Sequence, residues 1–395
     1  MQKLRGNLVL GCQNLVKLNK YKNYKIAIVT TFATRAVENN DFPPVVEYLL
    51  RKKFNIKKIF SPEHGYYLTV SAGETVNNAK DERTNLPIYS LYNENKEILS
   101  DWVNDIDCIF YDINDLGLRF YTFGSTLYYV LLSAKKLKKK VVILDRPNPL
   151  TGKIVDGNIL NTNYRSFVGI TCIPVRHGMT QAEFALYLNN EEKINAEVEI
   201  IPMKNYNRNF WWDEIYNDVW FNPSPNINCL TTALIYSGTC LFESVNVSFG
   251  NGTTRPFQII GAPWINSQLW YKCLKSYSKY LTGVNFAEVV FTPKSGNYKG
   301  SFCKGLQVIV IERNKVSMFT TAVAMLRSLY QTHKKNFQWV PCVNEKNVFW
   351  IDKLTGGTEV RIFVETGKPT FDKLVNKWNQ ECEKFKQKRK QYLLY

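Results

Sequence analysis

Short apolar runs alternate with amphipathic segments along the first half of the chain. The runs expected to form strands are YKIAIVTTF (24–32), IKKIFSPEHG (56–65), LPIYSLY (86–92), DCIFYDINDLG (107–117) and VVILDRPNP (141–149). Apolar residues recur at helical spacing in PPVVEYLLRKKF (43–54), and GSTLYYVLLSAKKLKKK (124–140) is also helix-like. Strands that alternate with helices predict right-handed crossovers and an α/β fold with a Rossmann-like, doubly wound, mostly parallel sheet.

The second half of the chain predicts a smaller C-terminal α+β domain. Thr180 and Glu183 have the spacing of a capping box, and the prolines of NPSPN (222–226) are typical of a hinge. We therefore expect a Rossmann-like domain over residues 1–228 and an α+β domain over residues 229–395. One face of the last helix carries four side chains expected in the core: Leu374, Trp378, Cys382 and Phe385.

Four of the five predicted strands of the first half end in polar, turn-rich residues. The strand ends are TTFAT (30–34), SPEHG (61–65), YDINDLGLRFY (111–121) and LDRPNP (144–149). In open parallel sheets, ligands bind beyond the carboxyl ends of the strands. Each segment alone is compatible with a structural turn, but together they favour a functional site at this edge.

Composition and charge change this picture little. The net charge of +17 favours anionic partners, although the lysine runs at 135–140 and 384–391 are also typical of solvated helix ends. Nine cysteines without a CxxC pair indicate reduced thiols and a cytoplasmic compartment. The apolar run within residues 1–20 is too short and too interrupted to predict a secretory signal. No apolar stretch is long enough to span a membrane.

Several familiar motifs are missing. The chain has no GxxxxGK[ST] loop, no GxSxG and no HExxH, and FGNGTTR (249–255) lacks the third glycine of a dinucleotide fingerprint. We therefore expect no cofactor and no catalytic metal. His333, one of three histidines, lies at a lysine-rich helix end and is expected on the surface.

The remaining chemistry is that of carboxylates. Five acidic residues lie at apparent strand ends: Glu63, Asp112, Asp115, Asp145 and Glu243. Hydrolysis of a glycosidic bond needs a carboxylic acid as proton donor and a second carboxylate as nucleophile or base. Glu63 follows a proline on a stiff turn, which suits a positioned acid or acid/base, while its partner stays open among Asp112, Asp115 and Glu243.

Histidines and arginines accompany these acids. His64 and His177 each precede a glycine, and either a structural role or a contact with substrate is compatible with that position. Arg119 and Arg146 follow the acidic segments. They would either form ion pairs between the loops or bind a carboxylate of the ligand with their two-pronged guanidinium groups.

In order and spacing, these motifs resemble the NamZ-type exo-β-N-acetylmuramidase family of peptidoglycan-recycling glycoside hydrolases. The matching segments are SPEHG, AGE, LPIYSLY, DINDLGLRFYTF, LDRPNP, IPVRHGMT, NPSPN and GTCLFESVNVSFGNGT, which lie between residues 60 and 265. The resemblance implies that residues 1–228 form the catalytic domain and that residues 229–395 complete its cleft. It also implies release of N-acetylmuramic acid from the non-reducing end of peptidoglycan fragments.

The resemblance also implies site residues. Its catalytic residues fall on Glu63, His64, Asp112, Asp115 and Glu243. Its substrate-binding residues fall on Glu74, Arg119, Tyr121, Arg146, Asn148, His177, Asn226 and Asn246. The chain departs from the family pattern at Ser244, Val245 and Asn251, where a glycine, a threonine and an arginine are usual.

Three hypotheses follow from the sequence. The first is a glycosidase that acts on muramyl sugars, with a glycan substrate, no nucleic-acid partner and no membrane span. The second, prompted by the departures at 244–251, is a muramyl-sugar binding or sensing protein with altered catalysis. The third, a nucleic-acid binder, has only the charge and the aromatic content in its favour and lacks a recognition motif.

Overall fold

The computed structural model describes residues 7–39, 41–343 and 345–395. The start of the N-terminal segment considered above as a possible leader lies outside these residues. Two compact units share the chain: the first comprises Met1–Ile154, Gly178–Pro225 and Arg389–Tyr395, and the second comprises Val155–His177 and Asn226–Lys388. The main change of unit thus lies at Pro225, near the predicted boundary, whereas residues 155–177 and 389–395 each belong to the unit opposite to the one predicted.

A seven-stranded sheet forms the centre of the first unit. Its strands are β1 (Ile26–Val29), β2 (Ile56–Ser61), β3 (Ala79–Lys80), β4 (Pro87–Ser90), β5 (Cys108–Tyr111), β6 (Lys140–Leu144) and β7 (Val198–Ile201). Their spatial order is β3-β4-β2-β1-β5-β6-β7, and all neighbours are parallel except β3 and β4. Without β3 this is the Rossmann strand order, as predicted.

The hydrophobic pattern explains why these strands lie in the interior. All four residues of β1 and of β5 are buried, as expected for central parallel strands covered on both faces. The helices of this unit are α1 (Leu15–Leu18), α2 (Val45–Arg51), α3 (Phe123–Leu137), α4 (Gln181–Glu191) and α5 (Trp212–Tyr216). Because strand order reverses between β1 and β5, the crevice for a ligand is expected at their carboxyl ends.

The helix α4 begins with the predicted capping box. Thr180 Oγ1 accepts a hydrogen bond from the Glu183 N–H at 3.3 Å, and Glu183 Oε2 accepts one from the Thr180 N–H at 2.9 Å. Asp145, just after β6, also accepts from the Ala182 N–H and from the Thr180 hydroxyl, each at 2.9 Å. The end of β6 and the start of α4 are therefore fixed to each other.

Residues Arg389–Tyr395, here called the C-terminal strap, also bind to this part of the first unit. The Tyr395 hydroxyl donates to Asp145 Oδ2 at 2.8 Å and accepts from the Met203 N–H at 2.7 Å. Arg208 Nε donates to the Tyr395 carbonyl oxygen at 2.7 Å, and the Leu394 N–H donates to Glu183 Oε1 at 2.8 Å. The strap thus completes the hydrogen bonding of two buried carboxyl groups.

The second unit combines an antiparallel sheet with helices, as the sequence predicts. The sheet has the order β8-β10-β9, from β8 (Ile259–Ala262), β9 (Val284–Phe291) and β10 (Cys303–Val310). The helices are α6 (Leu230–Thr239), α7 (Ser267–Lys275), α8 (Met318–His333), α9 (Trp350–Thr355), α10 (Glu359–Thr366) and α11 (Phe371–Arg389). The prediction for α11 is confirmed, because Leu374, Trp378, Cys382 and Phe385 are all buried.

Two predictions in the second unit are wrong. His333 is buried, with 8% of its surface exposed, because its Nε2 accepts a hydrogen bond from the Asn266 N–H at the start of α7. Burial lowers the pKa of this imidazole, in agreement with its role as an acceptor. Glu243 does not end a strand: it lies in a 3₁₀ turn, Cys240–Ser244, that continues from α6.

All nine cysteines are free thiols. Over the described ranges, none of the helices is both long enough and apolar enough to cross a lipid bilayer.

Candidate active site

The turn that carries Glu63 is set by its backbone. Directly after β2, His64 and Gly65 both have left-handed conformations, with φ of 70° and 76°, and the Gly65 N–H donates to the Pro62 carbonyl at 3.1 Å. This conformation is costly for a residue with a side chain. His64 is held in it by a hydrogen bond of 2.8 Å between its Nδ1 and the Val70 carbonyl oxygen. The imidazole therefore shapes the turn that presents Glu63.

Both oxygens of the Glu63 carboxylate accept hydrogen bonds. The Gly73 N–H donates to Oε1 at 2.9 Å, and the Thr122 hydroxyl donates to Oε2 at 2.5 Å. Tyr92 also hydrogen-bonds to Glu63, and burial together with that carboxylate raises the pKa of the phenol. Lys96 lies with its ammonium 3.7 Å from the centre of the Tyr92 ring, and the Glu63 charge acts on it as well. Glu63 is thus a buried carboxylate in a fixed orientation.

Asp112, at the end of β5, forms a buried ion pair with Arg146. Arg146 Nε and Nη2 both donate to this carboxylate, the second at 3.2 Å, and its Nη1 donates to the Arg35 carbonyl oxygen at 2.7 Å. Burial raises the pKa of Asp112, while Arg146 opposes that shift. Of the two roles left open for Arg146, the structure shows the ion pair between loops.

Asp115, on the same loop, has a different environment. Its Oδ1 accepts from the Gly117 N–H at 2.6 Å, whereas its buried Oδ2 has no hydrogen-bond partner among the described residues. Burial raises the pKa of Asp115 to about 7. The carboxyl group can therefore hold a proton near neutral pH, as a general acid must.

Asn148 fixes the shape of this loop. Gly117 has φ of 70°, and a Cβ there would overlap the Asn148 amide. The Asn148 Nδ2 donates to the Met179 carbonyl at 2.9 Å, and its Oδ1 accepts from the Leu150 N–H at 3.0 Å. Both hydrogen bonds of the Asn148 amide are thus with the protein backbone, and the side chain supports the Asp115 loop.

The phenol of Tyr121 is influenced by the charges of both Glu63 and Asp115. It is buried, and its hydroxyl lies beside Ser224. Burial raises the pKa of Tyr121 well above its ordinary value, and both Asp115 and Glu63 raise it further. Glu63, Asp115, Tyr121 and Thr122 are called the carboxylate cluster below. Arg119, on the same loop, is buried as well.

The other predicted site residues lie elsewhere. Glu74 is on an exposed part of the loop after Gly73. In the second unit, His177 is buried, and Glu243 and Asn226 are partly exposed. Asn246 makes two backbone contacts of 2.9 Å, from its Nδ2 to the Asn336 carbonyl and from the Gln338 N–H to its Oδ1. It therefore ties two segments of the second unit together.

Sequence reasoning missed several residues near the cluster. Thr122, Tyr92 and Lys96 contact or act on Glu63, and Tyr92 and Lys96 follow β4 as the predicted site residues follow their strands. The same signal could have found them. A cavity of about 330 Å³ in the first unit was also missed, and its lining includes Phe32, Arg35 and Trp220. Within the described ranges, His, Cys, Asp and Glu side chains form no cluster suited to a metal ion.

Comparison with protein families identifies both halves of the chain. Residues 26–231 match the N-terminal model of exo-β-N-acetylmuramidase NamZ, and residues 234–395 match its C-terminal model. The chain belongs to the NamZ family. The resemblance inferred from the ordered motifs is thereby confirmed.

Named relatives of the NamZ family agree with this assignment. The chain is 34% identical over 337 residues to the peptidoglycan β-N-acetylmuramidase NamZ of Bacillus subtilis strain 168, covering 85% of this chain and 79% of that protein. Crystal structures of two DUF1343 family proteins from Bacteroides fragilis are similar. One has a TM-score of 0.86 at 25% identity, covering 99% of this chain and 100% of that one. The other has a TM-score of 0.72 at 30% identity, covering 98% and 99%.

Proposed function

We propose that this NamZ-family protein is an exo-acting glycoside hydrolase that releases N-acetylmuramic acid from the non-reducing end of peptidoglycan fragments. The observation that carries the proposal is the pair of unlike carboxyl groups, Glu63 and Asp115, at the carboxyl edge of the sheet. One is held by hydrogen bonds at both oxygens, and the other has a pKa of about 7. Glycoside hydrolysis requires two carboxyl groups, one that gives a proton to the leaving oxygen and one that acts as nucleophile or base.

We assign the proton donor to Asp115. Near neutral pH its raised pKa keeps a proton available, and its Oδ2 has no partner in the described part of the chain to compete for that proton. As the bond between the anomeric carbon and the bridging oxygen breaks, the proton passes to the departing oxygen. Asp115 is left ionised. It regains a proton from the attacking water if Glu63 is the nucleophile, and from the solvent if Glu63 takes the proton of that water.

Glu63 then has the second role. Its carboxylate, oriented by Gly73 and Thr122, either attacks the anomeric carbon or removes a proton from the attacking water. This exchanges the roles expected from the sequence, in which Glu63 was the favoured acid. The anomeric form of the first sugar released, followed by NMR, distinguishes attack by Glu63 from activation of water.

Two variants test these roles with two substrates. Asp115→Asn should lower kcat/KM on a muramyl–glucosamine disaccharide by roughly 10²- to 10⁴-fold, the size of a general-acid contribution. On dinitrophenyl β-N-acetylmuramide, whose leaving group needs no proton, it should retain most activity. Glu63→Gln should lose activity on both substrates without a lower Tm.

The exposed residue Asp101 provides a matched control, and Asp101→Asn should leave both rates unchanged. Equal losses on the two substrates in Asp115→Asn would move the proton donor elsewhere. Full activity in Glu63→Gln would remove that residue from the mechanism. Binding of N-acetylmuramic acid without turnover of either substrate by the intact protein would instead favour a sensing function.

We also propose a cytoplasmic location, which the nine free thiols support because disulfides are rare in reducing compartments. Fractionation of the native host tests it, and recovery of the protein outside the cytoplasm would contradict it.

A further inference from the structure

A cavity of about 330 Å³ in the first unit is walled by aromatic side chains. Phe32 follows β1, Tyr67 lies on the chain that leaves the Glu63 turn, and Trp220 and Phe221 come from the segment after α5. Aromatic faces of this kind suit the apolar face of a sugar ring. Acidic side chains are absent from the lining, and Arg35 is its one cation among the described residues.

The Arg35 guanidinium is placed between two of these rings. Its central carbon is 4.2 Å from the centre of the Phe32 ring and 5.1 Å from that of Phe221. Such contacts hold a guanidinium in a fixed plane at little cost in conformational entropy. Its Nη1 donates to the Phe42 carbonyl at 3.2 Å, and its buried Nε has no acceptor in the described ranges.

Arg35 is not found in an ion pair with a carboxylate among the described residues, and the charges of Glu47 and Asp41 act on it only at longer range. Arg83 also approaches the Phe32 ring, at 5.4 Å, but its Nε is 2.7 Å from Glu47 Oε1. Arg146 is likewise committed to Asp112. Arg35 is therefore the guanidinium in this region that remains available to an anion.

Arg35 lines two cavities, and the charges of their walls indicate which of them suits an anion better. One of them is a space of about 430 Å³, whose walls carry Asp41 and Glu47 together with Arg51 and Arg83. Arg83 is paired with Glu47 and Arg51 with Glu38, so Asp41 remains there as a carboxylate that repels an anion. The cavity between the aromatic walls has no such repulsion and is the better place for a carboxylate.

This cavity shares its loops with the carboxylate cluster. The Phe32 N–H donates to the Tyr66 carbonyl at 2.7 Å, on the turn that begins with Glu63. Pro225, another lining residue, directly follows Ser224, which lies beside the Tyr121 hydroxyl. A ligand held by the aromatic walls is thus bound by the chain that leaves the Glu63 turn and by a segment that lies beside Tyr121 of the Asp115 loop.

We propose that the aromatic cavity binds the muramyl sugar and that Arg35 binds its lactyl carboxylate, which makes Arg35 the residue that distinguishes muramyl from glucosaminyl sugars. The identity of this ligand rests on the proposed function. A guanidinium offers two parallel donors to a carboxylate, and the lactyl carboxylate is the group that separates the two sugars. Neither Arg119 nor Arg146, for which the sequence left open an ion pair between loops or binding of a ligand carboxylate, lines this cavity.

The first test compares a charged substrate with its neutral counterpart. In Arg35→Met, kcat/KM on an aryl β-N-acetylmuramide should fall on the order of 10- to 100-fold, as expected for loss of a charged hydrogen bond, mainly through a higher KM. On the same substrate with its lactyl carboxylate converted to the amide, the variant should match the wild type. Arg35→Lys keeps the charge but loses the two parallel N–H donors. Its kcat/KM on the charged substrate should therefore lie between those of the wild type and Arg35→Met.

Arg83→Met is the matched control, because Arg83 contacts the same Phe32 ring with its charge already paired to Glu47. It should leave the preference for the acid over the amide unchanged. The proposal is overturned if Arg35→Met lowers both rates equally, or if its preference for the acid equals that of the wild type. A Tm close to the wild-type value shows that Arg35→Met is folded; if it is not, Arg35→Lys and Arg35→Gln give the same comparison.

Binding of free sugars separates failure of this inference from failure of the proposed function. By calorimetry, the wild type should bind N-acetylmuramic acid more tightly than N-acetylglucosamine, and Arg35→Met should lose the difference. If this holds while neither substrate is hydrolysed, the cavity assignment stands and the hydrolase proposal fails. If hydrolysis proceeds but the difference is absent or survives in Arg35→Met, the cavity assignment alone fails.

Discussion

Asp112 and Asp115 share one loop but have opposite electrostatic surroundings. Asp112 is paired with Arg146, so a buried cation compensates the cost of its burial. Asp115 is partly buried, no ion pair with a cation is found for it among the described residues, and desolvation raises its pKa to about 7. One aspartate therefore anchors the loop, and the other changes its charge in the pH range in which an enzyme operates.

The raised pKa of Asp115 makes a prediction about stability. The folded state binds this proton more tightly than the unfolded chain, so the contribution to stability is complete below about pH 4 and is lost as pH rises through about 7. Asp115→Asn removes this loss. The Tm of the variant minus that of the wild type should thus be more positive at pH 8 than at pH 4, as thermal melts would show.

The exposed substitution Asp101→Asn should give the same Tm difference at both pH values. A difference for Asp115→Asn that is likewise independent of pH would mean that Asp115 does not carry a proton in the folded protein at pH 5 to 6.

The sequence predicts a site residue where a pattern of neighbouring residues indicates its place in the fold. Glu63 and Asp115 were found because polar residues follow apolar strands, and parallel strands bring those ends to one edge. Arg35 follows β1 in the same way but was missed, because its partner Phe221 is far away in the sequence. His333 was placed wrongly because flanking lysines suggest solvent, whereas its contact with Asn266 depends on packing.

At the scale of elements, Asp145 joins three parts of the first unit. Its carboxyl group lies at the end of β6, accepts from the first turn of α4, and accepts from the strap through the Tyr395 hydroxyl. Burial raises the pKa of Asp145 to about 7. A buried carboxyl group of this kind depends on its donors, so each of them contributes to the stability of the unit.

Removal of one donor tests this connection. Tyr395→Phe deletes the bond to Asp145 and leaves the Met203 N–H without its acceptor, which should lower the free energy of unfolding by about 1–3 kcal/mol. Chemical denaturation should show the loss as a lower midpoint. Tyr24→Phe, at a partly exposed tyrosine, should change the midpoint little. Equal midpoints for Tyr395→Phe and the wild type would show that the strap does not stabilise this edge.

Periodicity predicted most elements, because β1, β5 and α3 each bury a continuous run or one regular face. The capping box of α4 was found because both of its residues are local. The strap was not predicted, since its attachment depends on a single hydroxyl and on partners distant in the sequence. Glu243 was assigned to a strand end because an apolar run alone does not separate a strand from a buried helix such as α6.

At the scale of the whole molecule, the net charge of +17 is the largest departure from an ordinary composition. A peptidoglycan glycan strand from which the stem peptides have been removed carries a free lactyl carboxylate on each muramyl residue. A positive protein attracts such a polyanion over distances comparable to the Debye length, about 10 Å at 0.1 M salt. The charge therefore acts on encounter with long substrates, and not on the chemical step.

This argument predicts a salt dependence that changes with substrate length. Between low salt and about 0.5 M NaCl, kcat/KM on long glycan strands should fall several-fold, while kcat/KM on an aryl muramide should change much less because a single charge is steered weakly. Rates at saturating substrate should not change for either. Identical salt dependence for the two substrates would mean that the basic surface has no part in encounter.

The division into units was only partly visible in the sequence. The hinge-like prolines lie at the main change of unit, but residues 155–177 and the strap pack with the unit opposite to their neighbours in sequence. Asn158 Nδ2, for example, donates to the Thr355 carbonyl at 2.5 Å, and Asp156 accepts from the Ser317 hydroxyl at 2.6 Å. Patterns of apolar residues show that a segment is buried, not which neighbours bury it.

The place of the strap in the chain has a consequence for biosynthesis. Residues 389–395 leave the ribosome after every residue of the second unit, yet they complete the hydrogen bonds of Asp145 and Glu183 in the first. A nascent chain that has not yet reached the strap holds a sheet whose carboxyl edge is incompletely bonded. Most of the first unit is translated before the second, but its hydrogen bonding is completed after the second has been made. Before the strap binds, this edge of the sheet is accessible to chaperones and proteases.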